Sequence, residues 1–331
     1  MTASADRQPV PATPDPQRFA YLGRPRAVWA IGAAHGDAGR LAALHDHIAP
    51  RFRAGERMIY LGNFLGRGAH VRETVEEMLA FRRGLLAQPG LLAEDVVYLR
   101  GQQEEMWQKL MQLQFAPNPA EVLGWMLDQG VGATLEAYGG SPREAMVAAR
   151  EGAVQVTRWT NRLRKAVNDA EHNRLLAALR RAALSDPVPP AEGAAAAAEA
   201  AAEAPADTGA EAGAGVRTIA AGEGGVARPD HADRDLAGDQ GLGLLFVSGG
   251  LDPSRPLAAQ TDSFWWDARG FDSIDAPYEA FGRIVRGFDP KNRGVVVEAV
   301  IATLDGGCGR GGSLVAGCFA PDGTVLDLVE V

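Results

Sequence analysis

Between residues 26 and 101 short apolar runs alternate with amphipathic stretches. "RAVWAIGA" (26–33) has the pattern of a buried strand, and a helical pattern runs through "GRLAALHDHIAPRF" after it. "ERMIYLG" (56–62) predicts a second strand. The helix expected over 71–87, "VRETVEEMLAFRRGLLA", places Val75, Met78, Leu79, Leu85 and Leu86 at roughly helical spacing. "EDVVYLRG" (94–101) predicts a third strand. Strand, helix, strand, helix, strand with short links predicts βαβ units and a parallel sheet.

Residues 103–184 read as almost wholly helical. "PNPAEVLGWMLDQG" has a Pro-Asn-Pro start and a Gly stop, and "VTRWTNRLRKAVNDAEHNRLLAALRRAAL" repeats amphipathic turns. A stretch of this length predicts a helical subdomain, since a simple crossover would be shorter. Strand patterns return in "GLGLLFVSGG", "FGRIVRGFD", "GVVVEAVIATLDGG", "GSLVAGCFAPDG" and "TVLDLVEV". Gly and Asp-Gly turns between the last of these favour antiparallel hairpins.

Composition changes this picture at two places. Residues 185–240 have no aromatic side chain and few large aliphatic ones, so they cannot bury enough surface to offset their ordering entropy; they are expected to be a mostly disordered insertion. Residues 1–20 hold several prolines and no apolar core of a signal peptide, and are expected to form a disordered tail ahead of a single domain over 21–331.

The net charge of −9 is concentrated in the insertion, where eleven acids face three bases. The rest is nearly neutral, which argues against nucleic acid as a partner. No apolar run approaches the ~20 residues that span a bilayer, so no membrane partner is expected. Two cysteines, Cys308 and Cys318, make neither a disulfide framework nor a Cys-based zinc site, and a reduced, cytoplasmic protein is the expectation.

Three strand ends of the first half finish in polar turns bounded by glycine: "IGAAHG" (31–36), "LGNFLGRG" (61–68) and "LRGQQEE" (99–105). "FVSGGLDPSRPL" (246–257) and "IVRGFDP" (284–290) repeat the pattern later. Functional groups in α/β sheets gather at the carboxyl ends of strands. In this order and spacing the five stretches resemble the calcineurin-like metallophosphoesterases, in the branch of bacterial serine/threonine protein phosphatases and dinucleoside-tetraphosphate hydrolases. The family signature runs Gly-Asp-x-His-Gly, Gly-Asp-x-x-Asp-Arg-Gly, Arg-Gly-Asn-His-Glu, His-Ala-Gly and Gly-His-Thr. The resemblance implies a four-layer α/β/β/α sandwich, two packed mixed sheets flanked by helices, with a helical insertion.

It also implies a site that has lost its chemistry. The family holds two divalent metals with carboxylates, imidazoles and one Asn amide, and activates a bridging water. Here the first Asp is Ala33 while His35 is kept. The bridging Asp is Asn63, and the Asp that orients the catalytic His is Gly66. The Asn ligand is Gln102 and the catalytic His is Gln103. Ser248 and Phe288 stand where the later ligand histidines belong. With no carboxylate at any of these positions, two neighbouring dications have no anionic oxygen between them to offset their repulsion.

The expected protein is therefore a silent phosphatase homologue that binds an unidentified protein or phosphorylated ligand. No cofactor is expected, and no catalytic residue. Arg67, Arg100 and Arg286 are the candidates for phosphate contact, although for Arg100 structural pairing with an acid such as Glu104 is the favoured role. The alternative is an active phosphoesterase using Mn2+ or another divalent metal in a non-standard site, with His35 and Asn63 as the remaining ligands. Asp37 reads as a helix N-cap, "GGCGRGG" (306–312) as a hairpin turn, and "FWW" (264–266) as core or rim.

Overall fold

The computed structural model describes residues 15–189 and 241–331, together with Glu192, Ala195 and the pair Arg217–Thr218. The remainder of the expected tail and insertion lies outside the described residues.

One sheet holds, in spatial order, β4 (Val96–Tyr98), β3 (Arg57–Tyr60), β2 (Val28–Ile31), β11 (Val315–Phe319), β12 (Val325–Glu330) and β6 (Arg217–Thr218). The other holds β1 (Phe19–Tyr21), β5 (Ala182–Leu184), β7 (Gly243–Val247), β8 (Phe281–Arg286), β10 (Ile301–Thr303) and β9 (Val296–Val297). The strands β2, β3 and β4 run parallel, as do β7, β8 and β10, while β11 and β12 close the first sheet antiparallel.

Strand periodicity explains the layering. Val28, Ala30, Ile59 and Leu61 point inward and meet Phe246, Val285, Ala302 and Leu304 of the facing sheet. The intervening Trp29, Ile31, Met58 and Tyr60 point outward beneath α1 (Ala38–Ile48), α2 (Val71–Leu86) and the helices that follow. Ile284 and Ile301 face the opposite way, under the short helices Ser263–Trp266 and Ala268–Asp272. Both faces of each sheet are covered, which is why these strands read as continuous apolar runs. The result is two mixed sheets between two helical layers.

The helical stretch comprises α3 (Gln102–Leu110), α4 (Pro119–Asp128), α5 (Val131–Ala137), α6 (Pro142–Glu151), α7 (Ala153–Asp169) and α8 (Asn173–Ala177). Two boundaries differ from the sequence reading. Residues 182–184 form β5, so the helical segment stops short of 184: Ala182 and Ala183 are small, and the strand gains partners on both sides, β1 and β7. Phe19, assigned to the tail, begins β1 because its ring buries against Phe264, with centroids 5.9 Å apart. Within 185–240, Ser185 is buried and accepts from the Leu244 amide at 2.8 Å, and Arg217–Thr218 add to the edge of β12.

The strand ends of the two sheets converge closely. A Cβ on Gly32 would lie 2.0 Å from the Leu304 carbonyl oxygen, and one on Gly287 would lie 2.4 Å from the Leu61 Cβ. Only glycine admits these approaches. The Ala33 amide donates to the Gly287 carbonyl at 3.1 Å, joining the sheets at this point.

Candidate functional site

The turns after β2 and β3 are built as one unit. The His35 amide donates to the Asn63 carbonyl at 2.8 Å and the Gly36 amide to the Phe64 carbonyl at 2.9 Å. In return, Gly68 donates to the His35 carbonyl at 2.6 Å. His35, Asn63 and Arg67 all adopt left-handed backbone angles, with φ of 47°, 55° and 56°. Such angles cost a non-glycine residue about 1–2 kcal/mol each, and the interlocked hydrogen bonds hold them.

Glu104 clamps this unit to the turn after β4. Its buried carboxylate accepts from the amides of Asn63 (2.8 Å), Leu65 (2.9 Å) and Gly101 (2.7 Å). Burial raises its pKa, and the three amides work in the opposite direction. The carboxylate is thereby committed to backbone.

The positions where the resemblance places ligands are occupied as follows. Asn63 is fully buried; its Oδ1 accepts from the Gln103 amide at 3.0 Å, and its Nδ2 reaches Ser248 Oγ at 3.5 Å. Gln103 donates through Nε2 to the Gln129 carbonyl at 2.8 Å, and its side chain fills the space beside Gly66. The Gly66 amide donates to Thr134 Oγ1 at 2.9 Å. Gln102 turns to the rim and donates to the Trp265 carbonyl at 2.5 Å. Ala33 and Ser248 are buried, and the Ser248 carbonyl accepts from Gly287 and Phe288.

The Phe288 ring stands edge-on to His35 with centroids 5.5 Å apart, and the Arg310 guanidinium lies over Phe288 at 5.5 Å. Gly309 packs on both His35 and Arg67, bringing the glycine-rich turn down onto the first two turns.

Of the three arginines singled out, only Arg67 belongs here. Arg100 pairs with Glu105 at 3.3 Å; the expected Glu104 is taken by backbone amides. Arg286 lies on the outer face of its strand. Its Nη2 meets Asp272 at 2.9 Å and Asp289 at 3.5 Å, and its guanidinium covers the Phe271 ring at 4.2 Å. Alternation along β8 explains this: Val285 faces the other sheet, so Arg286 faces away from it. That charge is spent, and Arg286 supplies none to the turns.

Sequence reasoning missed Arg310 and the clamp role of Glu104. Signals existed, because Arg310 is the one cation in "GGCGRGG" and Glu104 matches the final Glu of the third motif. Asp37 is the N-cap of α1, as expected, accepting from the Arg40 amide at 3.0 Å. His45 is a core residue, with Nδ1 2.7 Å from Glu77 and Nε2 2.7 Å from the Tyr60 hydroxyl. Cys308 is buried against the Ala34 carbonyl, and burial pushes its thiol up to about 12, which leaves no thiolate for nucleophilic chemistry.

The electrostatics of the turns oppose a cation. His35 is buried and its pKa falls to about 3, first because of desolvation and then because Arg67 and Arg310 both act on it; the nearby Leu65 backbone only partly opposes this. Neither ring nitrogen has a hydrogen-bond partner of acceptable geometry. The pKa of Arg67 is itself lowered, by burial first and by Arg310 second, and its Nε is buried without a partner. Asp305, the acid that acts on Arg67 and Arg310, is buried and accepts from the Asp289 and Gly307 amides; a neutral imidazole beside two guanidiniums does not fit the two divalent metals of the resembled family. Among the described residues no group of three or more His, Cys, Asp or Glu side chains is placed to hold a metal ion.

No protein-family model matches the chain, and no curated protein matches it. Among solved structures, one provisionally described as a diadenosine tetraphosphatase is similar over 94% of this chain and 96% of its own, at 13% identity and a TM-score of 0.44. The cold-active protein-tyrosine phosphatase of a psychrophilic Shewanella is similar over 93% and 82%, at 13% identity and a TM-score of 0.38. Neither likeness carries a functional statement about this chain. Among the described residues no helix is long and apolar enough to cross a membrane.

Proposed function

We propose that this protein is a metallophosphoesterase-type fold whose metal clamp has been replaced by a hydrogen-bonded amide core, and that it binds a phosphorylated ligand without hydrolysing it. The observation that carries this reading is the sign of the field at His35. Burial is the first cause of the depressed His35 pKa, and the guanidiniums of Arg67 and Arg310 add to it; their charge disfavours the cations that catalysis in the resembled family requires and favours an oxyanion. Among the described residues the buried Arg67 Nε–H lacks a partner, the His35 ring nitrogens have none of acceptable geometry, and Arg310 is exposed. A guanidinium fork and an imidazole N–H make a phosphate contact that needs no metal.

The alternative, a hydrolase holding one Mn2+ or another divalent ion at His35, has the free ring nitrogens in its favour and the positive field against it. Calorimetry with O-phosphoserine, in chelator and then with added Mn2+, separates the two. The expected result is saturable binding in chelator, about tenfold weaker in Arg67→Ala, with no turnover of an aryl phosphate at any Mn2+ concentration. Stoichiometric metal and turnover that disappear in His35→Ala would establish the alternative.

A further inference from the structure

A concavity lies at one end of the strands' lateral order, where β1 and β4 form the adjacent edges of the two sheets. The backbone of Arg180 stitches these edges together, donating to the Tyr98 carbonyl at 2.9 Å and accepting from the Arg100 amide at 2.7 Å. Beside this stitch opens a groove of about 650 Å3, within the range of about 300–1,000 Å3 common for small-molecule sites.

Four arginines line the groove: Arg82 from α2, its neighbour Arg83, Arg174 from α8, and Arg180. Among the described residues none of them makes an ion pair. Arg82 and Arg180 touch only backbone carbonyls, those of Ala93 at 3.4 Å and Ala178 at 2.9 Å. The acids in the lining are Glu94 and Glu171, so the wall carries a formal charge of +2. Its floor is apolar, with Phe19, Leu79, Val96 and Leu175.

Tyr98 adds an independent sign of a ligand. Its ring is buried and stacked on Tyr60, with centroids 5.0 Å apart, yet its hydroxyl has no hydrogen-bond partner. Burial raises the phenol's pKa and Arg82 is the charge that opposes the rise, so the hydroxyl stays protonated, as a donor, close to a guanidinium. A buried hydroxyl without a partner costs about 1–3 kcal/mol.

We infer that this groove binds a small organic phosphate with an apolar, aromatic-sized body: phosphate against Arg82 and the Tyr98 hydroxyl within the arginine-lined wall, body against the floor. A phosphate dianion matches the +2 wall, whereas one carboxylate leaves half of it uncompensated. This site is separate from Arg67 and Arg310 and does not rest on their role.

The test is calorimetry of the full chain with phenyl phosphate as probe, in chelator, in an Arg67→Ala/Arg310→Ala background. The expected result is one saturable site that adding Arg82→Ala/Arg174→Ala weakens by about tenfold and Tyr98→Phe by about threefold. Binding should tighten as pH rises through ~6, where the second phosphate proton is lost. No binding in this background would overturn the inference while leaving the Arg67 reading intact. Benzoate binding as tightly would overturn the phosphate assignment, and inorganic phosphate binding as tightly would overturn the apolar body.

Discussion

Phe288 and His35 meet ring edge to ring face, centroids 5.5 Å apart and planes at 76°, at the point where the two sheets' strand ends converge. The aromatic ring packs against buried His35 and helps to keep it dry. Removing it should do two things. Phe288→Ala should cost about 3–5 kcal/mol in urea unfolding, as for other buried aromatic truncations. It should also let the His35 pKa climb from about 3 toward its ordinary value, because burial is the first cause of the depression. Proton NMR titration of the imidazole reads the second effect. An unmoved pKa would assign the depression to the arginines alone.

The same histidine gives stability a pH dependence. Folded His35 is neutral down to about pH 3, while unfolded His35 takes up a proton near its model value of 6.5. The depressed pKa therefore contributes stability that is fully present above pH 6.5 and is lost as pH falls toward about 3. Inside that window the slope is about 1.4 kcal/mol per pH unit for one proton. Urea midpoints measured across it should fall more steeply for wild type than for His35→Gln, by about one proton's worth. Other histidines titrate in both chains and cancel in the difference. Equal slopes would mean that His35 ionises normally in the folded protein.

Glu104 should matter more to the architecture than Asn63, Gln102, Gln103 or Ser248. Its two oxygens accept three backbone amides from two different turns. Glu104→Gln keeps one oxygen and turns an amide N–H2 toward a backbone donor, leaving at least one buried N–H unsatisfied. The expected loss is about 1–3 kcal/mol, read from chemical unfolding, with Glu104→Ala at least as damaging. A neutral Glu104→Gln would show that the clamp contributes nothing net once desolvation of the carboxylate is counted.

Much of the architecture was legible because local rules and tertiary demands agree. The strands β2 and β3 read as apolar runs since both their faces are buried, and α1 begins where Asp37 caps it. β1 and β5 were not legible: "FAY" and "AAL" are three residues each, without the β-branched run that marks β4, and each exists through its pairing within the sheet. At the site, the polar turns and their altered letters could be read directly, including Asn63 and Gly66. The orientation of Arg286 could not, because it depends on which face of β8 meets the other sheet. Arg310 was hidden for a related reason. Its relation to His35 is made by a turn more than two hundred residues away in sequence, and glycine spacing alone does not say where a turn will land.

Gly66 and Gln103 should behave as a coupled pair. A Cβ at Gly66 would lie 2.2 Å from Gln103 Oε1 and 2.5 Å from its Cδ, on a backbone with φ of +79°. Restoring the family's carboxylate with Gly66→Asp therefore drives a side chain into an occupied space, and also places a β-carbon in a left-handed conformation. Gln103→Ala vacates that space. Gly66→Asp alone should be strongly destabilising, and the double variant should be more stable than the sum of the two single losses predicts, by about 0.5–3 kcal/mol of coupling. The left-handed backbone leaves a residual cost of about 1–2 kcal/mol that Gln103→Ala cannot remove. Strict additivity in a urea double-mutant cycle would separate the two positions. Coupling would tie the residue at 66 to the residue at 103: the glutamine needs a glycine beside it, so an acid does not fit this turn while Gln103 holds its present place.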